Sequence, residues 1–121
     1  MSLYHEEILE HFKDPQNFGL LKDATLTKTA TNPTCGDNFT FTLRLDNDNK
    51  VEAVGFEGEG CAISTASASL LTEELKGKTV EEIQNLDKDF IMKMLGLELS
   101  PTRLKCALLP LEALTKQEPS N

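Results

Sequence analysis

The sequence predicts an α+β fold, one three-stranded antiparallel sheet with helices packed mainly on one face. Three observations lead there. Phe39, Phe41, Leu43 and Leu45 alternate with Thr40, Thr42 and Arg44, the period-two pattern of a half-buried strand. Strand-like segments are grouped before a run of helical ones, which argues against βαβ units. Residues 61–76 carry Ala62, Ser64, Ala66, Ser67 and Ala68, small side chains that let a helix lie close to a sheet. With 121 residues the chain is one domain, expected over residues 1–116 with a frayed polar tail at 117–121.

The elements follow in order. Leu3, Tyr4, Ile8, Leu9 and Phe12 fall at helical spacing, and Asp14-Pro15 ends that helix because the residue before proline is pushed out of the α region. Residues 15–19 are a turn-rich connector. The Thr-rich segment 24–31 suits an edge strand. Asn32 to Asp37 is a loop. Residues 39–45 and 51–57 form a hairpin around a polar turn, with Gly55 as a possible bulge. Gly58-Glu59-Gly60 is expected to break the second strand. The helix over 61–76 stops at Gly77. Thr79 with Glu82 makes a capping box for a short helix. Asp87 caps another, which runs to Leu95 and stops at Gly96. Ser100-Pro101 starts the last helix, and Pro110 inside it should kink or split it.

Composition narrows the function classes. At 39% hydrophobic and 26% charged residues, the chain is neither collagen-like, coiled-coil nor disordered. The net charge of −8 leaves no basic footprint for nucleic acid. No run of about 18 apolar residues offers a membrane span. The N-terminal residues carry Glu6, Glu7 and Glu10 and resemble neither a signal nor a transit peptide, so a cytoplasmic setting is expected.

The three cysteines carry the chemistry. An odd number cannot close into intramolecular pairs, which excludes a disulfide-stapled secreted domain. Cys35 sits in a loop before Gly36, whose missing Cβ lets backbone approach a ligand, and Asp37 lies two residues on, able to face the same way. Cys61 follows Gly60 and opens a helix, where free N–H groups and the dipole favour thiolate. Cys106 lies beside Lys105 and near Arg103 in the last helix, and cations again favour thiolate. Taken singly, each could be an inert buried thiol. No pair has CxxC spacing. Together, the loop and helix-start contexts favour convergence on one site. His5 and His11 are far from these motifs and read as surface or capping residues. Ser64, Ser67 and Ser69 read as close-packing residues, with no histidine placed as their base.

These residues resemble a family. Tyr4, Ile8, His11, Pro15, Asn17 and Gly19, then Asn32-Pro33-Thr34-Cys35-Gly36-Asp37, Phe56-Glu57-Gly58-Glu59-Gly60-Cys61-Ala62-Ile63-Ser64 and Arg103-Leu104-Lys105-Cys106-Ala107 are similar to the IscU/SufU group, seen also as the N-terminal part of NifU. The resemblance covers nearly the whole chain. It implies a SufE/NifU-like sandwich holding Cys35, Asp37, Cys61 and Cys106 at one exposed end as ligands, with Gly36, Gly60, Lys105 and Arg103 in support. It implies a transient [2Fe–2S] cluster or iron, with Zn²⁺ at the same residues. It implies sulfur from a PLP-dependent cysteine desulfurase and delivery to recipient apo-iron–sulfur proteins, with Tyr4 and the first helix a docking element, although packing explains their pattern equally well. Three thiolates suit zinc or iron–sulfur, and one harder carboxylate should make the site labile.

The chain mixes two branches. IscU-type proteins have His where Lys105 stands, and a protonated lysine has no lone pair to ligate. The Cys flanks resemble SufU, yet the Cys61-to-Cys106 distance resembles IscU and lacks an insertion of roughly twenty residues usual in SufU. Leu99 to Arg103 lacks the double proline of the Hsp70-binding segment, so that chaperone is not expected. The leading expectation is a non-enzymatic assembly scaffold. The alternative is a zinc-dependent sulfurtransferase with Cys106 as persulfide acceptor, and a third is a structural zinc interaction module.

Overall fold

The fold was analysed in a computed structural model, which describes residues 9–31, 36–96 and 100–115, apart from the side chains of Thr102 and Arg103. The first described element is helix α1, seen over residues 9–13. Strands β1 (Leu26–Thr31), β2 (Asn38–Leu45) and β3 (Val51–Glu59) follow, then α2 (Ala62–Leu75), α3 (Val80–Gln84), α4 (Lys88–Leu95) and α5 (Pro101–Thr115). The predicted α+β architecture is present. The strands form an antiparallel sheet in the order β1-β2-β3, with Phe41 opposite both Lys28 and Phe56.

The core lies between one sheet face and α2 and α5. Phe39, Phe41 and Leu43 point into it from β2, and Val54 and Phe56 from β3. The Phe41 and Phe56 rings stack with centroids 5.6 Å apart. From the helices come Leu71, Leu75, Ala107, Leu111 and Leu114, all buried. Because α2 shows the sheet and α5 mostly Ser and Ala, the backbones can approach closely. Ser64, Ala66, Ser67, Ala68 and Ser69 are all buried.

The predicted helix signals act where expected. Thr79 and Glu82 form a reciprocal capping box. Asp87 accepts from the Phe90 N–H, and α4 ends at Gly96 with φ 67°. Pro110 does not split the last helix, which runs unbroken from Pro101 to Thr115.

Two expectations for β3 are corrected. The irregular step in the β2–β3 ladder falls between Arg44 and Leu45, not at Gly55. Gly55 is needed for another reason: a Cβ there would collide with the Gly19 carbonyl oxygen. The glycine-rich stretch does end β3, but only after Glu59, so Gly58 itself is not the breaker. Gly58 and Glu59 stay in the ladder opposite Phe39 and Asn38, and a Cβ on Gly58 would strike the Asn38 carbonyl and the Phe39 ring. In both cases close approach, not chain breaking, selects glycine.

The Gly19 contact belongs to a connector that crosses the sheet. The Gly19 N–H donates to the Phe56 carbonyl at 2.7 Å, and the Phe56 N–H to the Asn17 carbonyl at 3.0 Å. Asn17 takes up φ 59°, a left-handed conformation that asparagine tolerates better than most residues. Farther on, the Leu21 N–H donates to the Thr42 hydroxyl, which donates in turn to the Gly55 carbonyl at 3.1 Å. This cover buries Thr42, a position the alternation left on the open face. His11 is a half-buried tie, not a surface or capping residue. Its Nδ1 shares a hydrogen bond with the Ser69 hydroxyl, and its Nε2 lies 3.7 Å from Glu73. His5, Cys35 and the tail 117–121 lie outside the described residues.

Candidate metal centre

Asp37, Cys61 and Cys106 come from three distant stretches of the chain, and their ligand atoms lie within 4.8 Å of one another. Each is delivered by a different element. Gly36, at φ 78°, turns the chain immediately before Asp37, which precedes β2. Cys61 is the N-cap of α2, so its side chain faces the free N–H groups of the first turn. Cys106 lies in the second turn of α5, whose packing on α2 brings it to the same place.

Cys61 Sγ accepts from the Ser64 N–H at 3.5 Å. The Ser64 hydroxyl donates to Asp37 Oδ2 at 3.1 Å. Burial opposes ionisation of the Cys61 thiol. Hydrogen bonds from Ser64, from Cys106 and from the Ile63 amide outweigh it and hold the thiol below its ordinary range. Neither Cys61 nor Cys106 is in a disulfide.

The donor chemistry fits a soft divalent ion. A tetrahedral ion with bonds of ~2.0–2.3 Å holds its ligand atoms roughly 3.3–3.8 Å apart. Small side-chain rotations would bring three atoms within 4.8 Å to that spacing. Two thiols and one carboxylate leave a fourth position, and Cys35, two residues before Asp37, lies outside the described residues. Gly60 clears the floor of the site, where a Cβ would meet the Ser64 hydroxyl oxygen and the Phe39 ring.

The family-based expectation of an exposed site is corrected in part. Asp37 and Cys106 are 7% and 8% exposed, and Cys61 is half-buried. The packing of α5 on α2 and the seating of Asp37 over Ser64 account for this. Lys105 is exposed. It precedes the buried Cys106, and neighbours on a helix point about 100° apart. The Arg103 side chain lies outside the described residues.

The model of the NifU-like N terminal domain matches residues 3–117. The chain belongs to that family. Among NifU-like relatives, it is 40% identical to the zinc-dependent sulfurtransferase SufU of Bacillus subtilis, covering 95% of this chain and 88% of the relative. That alignment runs over 132 positions, more than the 121 residues of this chain, so the relative carries extra residues opposite gaps. The chain is also 40% identical to the iron–sulfur cluster assembly scaffold protein IscU of Aquifex aeolicus, over 92% of this chain and 71% of the relative. Among solved structures, a candidate iron–sulfur cluster assembly scaffold of the SUF system from Fervidobacterium islandicum superposes with a TM-score of 0.74 at 30% identity. It covers 94% of this chain and 93% of that one.

Sequence reasoning passed over Ser64 as a site residue, grouping it with packing serines. Its signal was its place three residues after Cys61, where an N-cap side chain meets the N3 amide.

Proposed function

We propose that this protein is an iron–sulfur cluster assembly scaffold. The observation that carries the reading is the convergence of Asp37, Cys61 and Cys106 within 4.8 Å in a member of the NifU-like family. With Cys35 they make three soft donors and one hard one. That set holds iron as a [2Fe–2S] cargo and releases it more readily than four thiolates would. A cysteine desulfurase supplies the sulfur, and recipient apo-iron–sulfur proteins take the finished cluster.

Sulfur arrives as a persulfide on the donor enzyme. The Cys106 thiolate attacks the outer sulfur, a new S–S bond forms on Cys106, and the donor's own thiolate leaves as the old S–S bond breaks. A Cys61 thiolate, favoured by its lowered pKa, would take the sulfur on by attacking the same outer sulfur and releasing Cys106 as thiolate.

One observation favours a second reading, zinc-dependent sulfur transfer. A relative at 40% identity bears that name. The four donors also suit Zn²⁺, which would hold the thiols deprotonated.

Anaerobic incubation with a cysteine desulfurase, cysteine, Fe²⁺ and a thiol reductant, which supplies the two electrons that turn persulfide sulfur into sulfide, separates the two. Cluster absorbance that needs Cys35, Cys61 and Cys106 and passes to an apo-ferredoxin supports the scaffold. Zinc-loaded protein that accelerates alanine release, with no cluster formed, supports sulfur transfer. If neither result is seen, both readings are wrong.

A further inference from the structure

We infer that Ser64 is a positioning residue that joins two ligands of the site, its amide holding Cys61 and its hydroxyl holding Asp37. The inference rests on the metal-site reading above. Ser64 is fully buried at the third position of α2. Its N–H points to Cys61 Sγ at 3.5 Å, and its Oγ stands 3.1 Å from Asp37 Oδ2, a residue 27 positions away.

A hydroxyl has one proton, and three acceptors surround this one. They are Asp37 Oδ2 at 3.1 Å, the Cys61 carbonyl at 3.1 Å and Cys61 Sγ at 3.5 Å. A carboxylate is the strongest acceptor of the three, because a charge-assisted hydrogen bond is roughly twice as strong as a neutral one. The sulfur is already served by the amide. So the proton goes to Asp37, which fixes one carboxylate oxygen and leaves the other for a metal ion. Gly60 leaves room for this oxygen, since a Cβ there would strike it and push it from its place. The competing description is a helical serine that merely bonds back to the carbonyl three residues earlier.

The two descriptions part in a double-mutant cycle read by zinc affinity. Ser64→Ala keeps the amide donor to Cys61 and removes only the hydroxyl. Zinc binding is measured by chelator competition for wild type, Ser64→Ala, Asp37→Ala and the double variant. Loss of a group that orients a ligand weakens metal binding by roughly 10–100-fold. That loss is expected for Ser64→Ala alone, with no further loss when Asp37 is already Ala. Ser64→Thr, which keeps the hydroxyl, should restore binding, and urea unfolding of the metal-free variants checks that each is folded. Wild-type affinity in Ser64→Ala overturns the inference, as does an equal loss with and without Asp37. If Asp37→Ala itself leaves zinc affinity unchanged, the ligand set is wrong and the inference falls with it. If Asp37→Ala weakens zinc and Ser64→Ala does not, the inference alone falls.

Discussion

The Ser67 hydroxyl donates to the Ala107 carbonyl oxygen at 2.7 Å, a buried hydrogen bond that ties α2 to α5 one residue beyond Cys106. It joins the two helices that carry the described thiols. Pro110, three residues further, has no N–H to contribute to the helix ladder. Ser67→Ala removes this second hydrogen bond from a carbonyl that keeps its place in the α5 ladder, and should cost about 0.5–1.5 kcal/mol of stability, the net worth of a typical hydrogen bond. Urea unfolding of the metal-free protein measures it. A loss near zero would mean that this bond does not hold the helices together.

Two glycines should separate stability from binding. Gly55→Ala drives a methyl against the Gly19 carbonyl, displacing the connector on the outer sheet face. It should cost about 1–3 kcal/mol, as overpacking does, while zinc affinity stays at the wild-type value. Gly60→Ala meets the Ser64 hydroxyl and the Phe39 ring. It should lower both stability and zinc affinity. Chemical denaturation and chelator competition on the two variants test the contrast.

The Cys61 thiol should ionise more readily than an ordinary thiol, because hydrogen bonds from Ser64, Cys106 and Ile63 outweigh burial. A depressed folded pKa means that the folded state binds protons less readily than the unfolded chain. The resulting stability is fully present above the unfolded thiol pKa and is lost as pH falls through the folded one. Alkylation of metal-free protein across pH, with Cys61 followed by peptide mass, should give a midpoint below that of the urea-unfolded chain. Equal midpoints would contradict the assignment.

Asp37 should make the cluster easy to hand on, because a carboxylate is a harder ligand than a thiolate for an iron–sulfur centre. Asp37→Ala is expected to yield a cluster that resists oxygen better or transfers to apo-ferredoxin more slowly. Transfer at the wild-type rate would remove the basis for calling the site labile.

Much of the fold could be read from the chain. The alternation of Phe39, Phe41 and Leu43 located the central strand, and Thr79, Glu82, Asp87 and Gly96 marked helix ends through purely local chemistry. The glycines of β3 were misread because their neighbours are remote. Nothing near Gly55 in sequence announces that Gly19 will lie against it, and nothing near Gly58 announces the Asn38 carbonyl. His11 and Ser69 had the same difficulty, being 58 positions apart yet hydrogen-bonded. Cys61 and Cys106 stood out because their residue type carries chemistry wherever it lies. Ser64 did not, since its importance comes from Asp37 across a gap that no local pattern spans.

The central claim is that Cys35, Asp37, Cys61 and Cys106 bind one ion together. X-ray absorption on the zinc-loaded protein tests it most directly. The account predicts three sulfur neighbours at about 2.3 Å and one oxygen at about 2.0–2.2 Å. Asp37→Ala should change only the oxygen shell, and Cys61→Ala or Cys106→Ala should each remove a sulfur. A shell dominated by nitrogen and oxygen, or one that survives Cys61→Ala and Cys106→Ala unchanged, would contradict it.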